Sequence, residues 1–393
     1  MKGSKTEAEL APQFSNRLKS LRTQKGLSQG QLANQTGITR QAVSAIESNL
    51  YLPTTVIALR LASILSCRVE DLFSLVPTED MIEGTLIGHL PQAKTRAHPI
   101  RVKVSTVGTR TVVRPVTDLG EQLSFAIPAD GYVTETDSKR SGTTVHVKLS
   151  RDREAVQQEI SVAGCDPAIF LVGEHLRRHK DQTTVVGWSM GSTAALQSLQ
   201  RGEVHVAGMH LYDPVTGESN LPFLRRSLKG TDYEVVTFAT WEEGFLVHPG
   251  NPKSIRTAAD LTEPLVTLVN REKGSGARLL LDQRLRPAGI QPTQVLGYDR
   301  IVSSHFEVAR TIAEHHADVG IGIRSAAQQF NLDFIPLQTA RYDLVVPKLY
   351  LKLHPTLAHL FEALVSHSFR NEIEALGGYD TSETGKAQAL RTS

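Results

Sequence analysis

LSQGQLANQTGITRQAVSAIESNLYLP, residues 27–53, resolves into two short helices joined by a tight turn. Ser28 followed three residues later by Gln31 forms a capping box, so a helix begins at Gln29 and runs to about Thr36. Gly37 ends it, because glycine adopts the left-handed conformation that closes a helix. Thr39 caps a second helix from Arg40 to about Ser48. Its inward positions are Ala42, Val43 and Ile46, which leaves Arg40, Gln41, Ser44 and Ala45 facing outward over the first turns. Gln can pair bidentately with adenine and Arg with guanine, so such a helix suits the major groove of DNA. An αα-hairpin with a solvated polar face has the same pattern, and spacing alone leaves both readings open.

The flanking sequence extends the helical period. Phe14, Leu18 and Leu21 share one face, and Val56, Leu59, Ala62 and Ile64 or Leu65 share another. Residues 14–75 carry seven Arg and Lys against three Asp and Glu, a basic segment in a chain whose net charge is only +2. From Phe14 to about Leu75, including LRTQKG before the quoted stretch and TTVIALRLASIL after it, the sequence resembles the Cro/C1-type (XRE-like) helix-turn-helix. The resemblance implies a DNA-binding domain over residues 10–76 and an internal ion pair between Arg22 and Glu47. It places Gln29 at a phosphate-contacting position, where helix amides also favour an anion. Arg40, Gln41 and Ser44 match base-reading positions next to the Thr39 cap, while Ala45 replaces a polar residue found in some members. It also implies binding to double-stranded operator DNA as a homodimer or higher homo-oligomer, on half-sites about one helical turn apart.

At 393 residues, 40% hydrophobic and 21% charged, the chain is long enough for two or three globular domains. The first 27 residues lack an apolar signal core, and no run approaches the roughly 20 apolar residues of a membrane span. The expectation is a cytoplasmic protein with no membrane partner. Cys67 and Cys165 lie far apart with no Cys-x-x-Cys pair, which points to reduced thiols and to no metal site.

Between Val76 and Arg151 the runs RVKVSTV, TRTVVRPV, LSFAI and TVHVKL alternate with period two. They predict a small β-rich connector or dimerisation module over residues 77–155. Within it TETDSKRSG, residues 134–142, reads as a polar hairpin tip or mobile loop. Over residues 156–380 the β-rich runs ISVAG, TTVVGW, VHVAG, LVTLV and ADVGIGI alternate with the helical segments PAIFLVGEHLRRH, STAALQSLQRG and GARLLLDQRLR. This alternation predicts an α/β sheet covered by helices on both faces. Residues 381–393 read as a disordered tail.

Within TTVVGWSMGSTAAL, residues 183–196, the Gly-x-Ser-x-Gly spacing from Gly187 to Gly191 is that of a nucleophile elbow. An α/β hydrolase using Ser189, with Asp318 and His354 as partners and an appended DNA-binding domain, is therefore an alternative. Too little sheet precedes the turn for that scaffold, and no oxyanion motif lies upstream. The same turn also places free amides and hydroxyls at a helix N-terminus, which suits anionic or oxygen-rich ligands. Comparable strand-to-helix turns occur at Cys165–Asp166–Pro167, Gly274–Ser275–Gly276 and Ser303–Ser304–His305, although a hydroxyl cap explains each of them equally well.

GCDPAIF, GSTAALQSLQRGEVHVAGMHLYDPVTGE, VNREKGSGARLLLDQ and HADVGIGIRSAAQQFNLDFIPL together resemble a periplasmic-binding-protein-like domain (type II, molybdate-binding-protein-like), over roughly residues 157–376. The resemblance implies a two-lobed clamshell with ligand held between the lobes. The chain crosses to the second lobe near TWEEGFLVHPGNP and returns at TARYDLVVP. Ser189, Gly191 and Ser192 are the ligand candidates on one side, with Asn270, Arg271, Ser275, Gly276, Arg278, Ser304 and His305 on the other. Interlobe ion pairing or a solvated face accounts equally well for Arg271 and Arg278, and helix capping for His305. His210, Tyr212 and Asp213 are secondary candidates. His315 and His316 are adjacent, without the i, i+4 spacing of a metal pair. The implied effector is molybdate, tungstate or a molybdenum-cofactor-related molecule, with another small oxyanion or a neutral metabolite as the alternative. No cofactor and no catalytic residue is expected. The combined expectation is a multidomain, ligand-responsive bacterial transcription regulator: an all-α helix-turn-helix domain, a β-rich connector and an α/β two-lobed sensor.

Overall fold

In the computed structural model, which describes residues 14–75, 80–90, 99–139, 142–179 and 183–390, Ser28 and Gln31 cap each other. Ser28 Oγ accepts the Gln31 N–H at 3.2 Å and Gln31 Oε1 accepts the Ser28 N–H at 2.8 Å. The chain divides into two compact units, Met1–Asp80 and Met81–Ser393. The first contains helices α1 (Leu18–Gln24), α2 (Gln29–Thr36), α3 (Arg40–Glu47), α4 (Thr55–Leu65) and α5 (Val69–Leu72). Gly37 ends α2 at φ +77°, and Thr39 Oγ1 accepts the Ala42 N–H at 3.1 Å to start α3. Leu18, Leu32, Val43, Ile46, Leu61 and Leu65 form the core.

Two details of the helical reading need correction. Phe14 belongs to a strand, β1 (Phe14–Asn16), which pairs with β2 (Phe73–Leu75) and joins the two ends of the unit. In α4 the buried face is Ala58, Leu61, Ala62 and Leu65, while Val56 and Leu59 are exposed. The i, i+3, i+4, i+7 stripe starting at Ala58 is the one that meets the core.

The second unit opens with a closed five-stranded barrel. Its strands are β3 (Met81–Leu86), β4 (Ile100–Val107), β5 (Arg110–Pro115), β6 (Gly131–Lys139) and β7 (Gly142–Leu149), in the order β3-β5-β4-β6-β7. Val102, Val104, Val113, Val145 and Val147 fill it. LSFAI is not a strand. Glu121–Ala126 is a helix, and Leu123 and Ile127 pack onto the α/β core instead of extending the barrel. Residues 134–139 of the polar stretch continue β6, where Lys139 pairs with Gly142; residues 140 and 141 lie outside the described residues.

The α/β part contains β8 (Ile160–Gly164), β9 (Val185–Ser189), β10 (Val206–Met209), the small hairpin β11 (Tyr212–Asp213) and β12 (Glu218–Ser219), β13 (Tyr233–Val247), β14 (Leu268–Arg271), β15 (Ile301–Val302), β16 (Val319–Ile323) and β17 (Asp333–Pro347). The main sheet runs β15-β14-β16-β13-β17-β10-β8-β9. β13 and β17 are each 15 residues long and pair antiparallel from Tyr233↔Pro347 to Val247↔Asp333, with register shifts at Thr237/Ala239 and Glu243/Gly244. One end of this ribbon carries β10, β8 and β9, and the other carries β16, β14 and β15. These are the two lobes, and β13 and β17 are the strands that join them. At Gly244 a side chain would meet Ile335 O at 2.1 Å, so close pairing there requires glycine. Two further strands, β18 (Tyr379–Asp380) and β19 (Ala387–Leu390), add to β13. Residues 381–390 are therefore not a disordered tail. Leu390 is buried and the backbone of Ala387–Leu390 is paired with Tyr233–Val236, while residues 391–393 lie outside the described residues.

The barrel is fixed to this sheet by buried charge. Lys103 Nζ on β4 donates to Asp130 Oδ1 at 2.8 Å and to Glu159 Oε2 at 2.6 Å, and Arg151 donates to the same two carboxylates. Nearby, His205 Nδ1 accepts the Ser161 N–H at 3.0 Å, which leaves Nε2–H to donate to Thr106 O of the barrel at 2.9 Å. Burial and the neighbouring His354 push His205 down to about 3, so this imidazole is neutral. Among the described residues no helix is long and apolar enough to cross a membrane.

Replacing Lys103 would leave two buried carboxylates sharing a single cation, Arg151. Lys103→Met is expected to destabilise the second unit by about 3 to 5 kcal/mol, read as a lower urea midpoint. A loss below about 1 kcal/mol would mean that the buried network does not hold barrel and sheet together.

Candidate functional site

Two regions carry the candidate residues. In the first unit Thr39, Arg40 and Gln41 are exposed on the first turn of α3, and Ser44 is half-buried one turn later. The helix is held against its neighbours by a charged junction. Arg22 Nε meets Glu47 Oε1 at 2.5 Å, Arg22 Nη1 donates to Leu27 O at 2.6 Å, and Gln29 Nε2 donates to Glu47 Oε2 at 2.8 Å. Burial alone would raise the Glu47 carboxyl, but the hydrogen bonds from Arg22 and Gln29 hold it below the usual carboxylate range. The expected pair between Arg22 and Glu47 is present. The Gln29 carboxamide is engaged in the same junction, which leaves its backbone amide, not its side chain, free at the start of α2.

In the second unit the two lobes are in contact. The Thr193 N–H and hydroxyl both donate to Gly274 O, at 3.1 and 2.9 Å. Gly191 faces Glu272 and Ser275, and a side chain at Gly276 would lie 2.3 Å from the His210 ring. Behind this contact is a cluster with almost no access to solvent: Cys165 after β8, Ser192 at the start of its helix, His210 after β10, Trp241 and Glu243 on β13, Arg271 on β14, His305 after β15, and Tyr342 on β17. Cys165 Sγ lies 3.3 Å from His210 Nδ1, and Glu243 Oε1 lies 3.1 Å from His210 Nε2. Ser192 Oγ accepts the His210 N–H at 3.1 Å. The His210 ring packs at centroid distances of 5.3 Å from Trp241 and 5.6 Å from His305.

Among the described residues, several polar atoms in and beside this cluster have no hydrogen-bond partner: Arg271 Nη1, Trp241 Nε1, both ring nitrogens of His305, His210 Nε2, Glu243 Oε1 and Asp166 Oδ2. Arg271 is 1% exposed, and its other two guanidinium nitrogens are committed to Glu272 at 2.8 and 3.0 Å. Burial pulls His210 down, but Cys165 and Glu243 beside it outweigh that and raise it to about 10. His305 is held well below its ordinary value, by burial first and then by the charges of Arg271 and His210. Burial raises Asp166 to about 6, against the hydrogen bonds it accepts from the Ala168 N–H and the Tyr379 hydroxyl. The result is a charged imidazole next to a neutral one.

Beside the cluster an open cleft of about 740 Å³ is lined by Asp166, Ser189, Ser304, Glu307 and Arg310, with Phe125 from the barrel side. The sequence candidates therefore separate. Gly191, Ser192, Arg271, Ser275, Gly276 and His305 meet at the lobe contact, and Ser189 and Ser304 border the open cleft. Ser304 caps its helix by accepting the Glu307 N–H, so capping does not account for His305. Asn270 and Arg278 do not join them. Asn270 donates to Tyr298 O and accepts from the Arg271 amide, while Arg278 stacks over Tyr298 at 3.9 Å and reaches Arg271 O. Tyr212 and Asp213 form the small hairpin; only His210 of the secondary candidates enters the cluster. Cys165 was legible as a turn residue, but Trp241, Glu243 and Tyr342 were not, because alternation along a strand gives no sign that one polar position faces a second lobe. The hydrolase partners are engaged elsewhere: Asp318 accepts the Thr267 N–H, and His354 Nε2 accepts the Gly108 N–H of the barrel.

Known proteins match these same two regions. The helix-turn-helix family matches residues 18–72, and the PBP superfamily domain matches residues 173–365. The uncharacterized protein YvgK of Bacillus subtilis is 35% identical over 227 residues, which is 58% of this chain and 72% of that protein. The uncharacterized HTH-type transcriptional regulator YgzD, also of Bacillus subtilis, is 42% identical over 60 residues, 15% of this chain and 91% of its own length. A solved ABC-type phosphate transport receptor from Vibrio cholerae aligns with 56% of this chain and 98% of its own, at 15% identity and a TM-score of 0.39. With a helix-turn-helix match on α1 to α5 and a PBP match on the two-lobed sheet, the chain belongs to the XRE-type helix-turn-helix proteins that carry a periplasmic-binding-protein-like domain.

Proposed function

We propose that this protein is a one-component transcription regulator that reads operator DNA through α3 and senses a small anion enclosed between the lobes of its second unit. The observation that carries the ligand half is chemical. A guanidinium and an indole N–H can only donate hydrogen bonds, and Arg271 Nη1 and Trp241 Nε1 are both buried without an acceptor. Leaving such groups unpaired costs roughly 1 to 3 kcal/mol each. An acceptor-rich ligand satisfies both, and the charge of Arg271 selects an anion. Molybdate and tungstate are the first oxyanions to test, with sulfate and phosphate as the comparison. Ser192 and Ser275 sit at helix starts on opposite sides of the contact, where amides favour the same charge. Ser275 is the weaker contributor, since its hydroxyl is occupied by Glu272 O and the Arg278 N–H.

The ligand would select the closed arrangement of the lobes over an open one. Such a differential state is what allows binding at one site to change affinity at another. Exposed Leu50, Leu52, Val56 and Leu59 give the DNA-binding unit an apolar patch that suits pairing of two copies on a two-fold operator. The expected location is the cytoplasm, where the operator is.

Calorimetric titration of the full chain, treated with chelator, with each of the four oxyanions should find at least one that binds, and Arg271→Met should weaken it at least 100-fold. Wild-type protein that binds none of them would contradict the anion reading. For DNA, Gln41→Ala should lose roughly 1 to 3 kcal/mol of discrimination at one base pair, measured by selection from a randomised duplex pool. An unchanged preferred sequence and affinity would remove Gln41 from the reading face.

A further inference from the structure

The sulfur and imidazoles of the buried cluster have a second possible use. Cys165, His210 and His305 each offer one ligating atom, all within 4.8 Å of one another, and all three residues are buried. We propose that these three side chains bind a borderline-soft metal ion of the zinc class, deep between the lobes.

Four features support a cation here rather than a simple thiol–imidazole contact. The residue types are those that thiolate- and imidazole-preferring ions select. Both His305 ring nitrogens lack a partner, so either is available as a ligand. His210 is oriented as a ligand histidine usually is: Nδ1 faces Cys165 Sγ at 3.3 Å, while Nε2 faces the Glu243 carboxylate at 3.1 Å. The carboxylate lies behind the non-ligating nitrogen at ion-pair distance, without a hydrogen bond of good geometry, so a bound ion would need only a small ring rotation to complete the usual carboxylate–histidine–metal arrangement. Finally, the charges balance, since a Cys165 thiolate and Glu243 together offset a divalent ion next to Arg271. Tetrahedral zinc with bonds of about 2.3 Å to sulfur and 2.0 to 2.1 Å to nitrogen spaces its ligand atoms by about 3.6 Å. The triad therefore needs to close by about 1 Å at its widest separation.

Three protein ligands leave one position open, the pattern of sites that bind an exogenous ligand rather than purely structural ones. Ser192 Oγ is 3.5 Å from His210 Nδ1 and borders that position. The inference uses different residues from the anion reading, which stands on Arg271 and Trp241, so either can fail alone.

The test is titration of the chelator-treated full chain with Zn2+ alone, without any oxyanion, together with the Co2+ absorption spectrum. The expected result is one ion per chain, a thiolate-to-cobalt charge-transfer band, and loss of that band in Cys165→Ser. Affinity should fall at least 100-fold in His305→Ala and about 10- to 100-fold in Glu243→Gln. Far-ultraviolet dichroism and the thermal midpoint of each variant report whether it remains folded. Should Cys165→Ser not fold, the Glu243→Gln affinity and the wild-type Co2+ spectrum decide the matter. The proposal is overturned if wild type binds zinc no more tightly than His305→Ala. It is also overturned if the Co2+ spectrum lacks the thiolate band, which would place the ion on surface histidines such as His248 and His315.

Discussion

The long antiparallel pairing of β13 with β17, continuous from end to end apart from register shifts at Thr237/Ala239 and Glu243/Gly244, is the constraint on which the second unit depends. Each strand supplies residues to both lobes, so the lobes share one hydrogen-bonded ribbon instead of meeting as separate bodies. Trp241, Glu243 and Tyr342 lie along this ribbon, Cys165, His210 and Arg271 come from loops or strand ends on either side of it, and His305 from the first turn of a helix. A polar cluster assembled this way exists as a unit only when the lobes are together. The glycines at 191 and 276 are what permit that approach, since a side chain at either would strike Glu272 or His210.

The electrostatics of the cluster follow from that assembly. His210 is charged because a sulfur and a carboxylate flank it; His305, 5.6 Å away, is neutral because burial and two nearby cations disfavour a third. Arg271 and Trp241 retain donors with no acceptor. In a packed interior such groups are costly unless a partner completes them; in the proposed function, a ligand between the lobes does so. The barrel contributes differently. Its Lys103–Asp130–Glu159 junction and the Thr106–His205 hydrogen bond fix it to the sheet, so it moves with one lobe rather than serving as a free linker.

Much of this was legible in the sequence where a local rule governs the outcome. The Ser28–Gln31 capping box, the Gly37 stop and the Thr39 cap each depend on a few adjacent residues, and the structure has all three. The alternation of ISVAG, TTVVGW, VHVAG and ADVGIGI with helices likewise produced the expected α/β sheet, in which β8, β9 and β10 pair in parallel. What the sequence did not reveal depends on distant partners. LSFAI has a strand-like period but finds its apolar surface against the α/β core as a helix, and the stretch after Thr381 is ordered by pairing with β13. Ser275 and Ser304 are explained by helix capping alone, so their candidacy as ligand residues was ambiguous from the start. The crossing between lobes at TWEEGFLVHPGNP was legible and falls within β13, but Trp241 and Glu243 carry no motif, and which of its side chains face the lobe contact is a property of the whole sheet.

In the proposed regulator, occupation of the lobe interface is energetically coupled to DNA binding by α3. The direct measurement is the affinity of the full chain for a duplex selected from a random pool, by fluorescence anisotropy, with and without a saturating oxyanion. Coupling of the usual size predicts a 5- to 150-fold change in wild type and none in Arg271→Met. An oxyanion that binds tightly at the lobe interface while leaving DNA affinity unchanged would show that the two sites are not coupled.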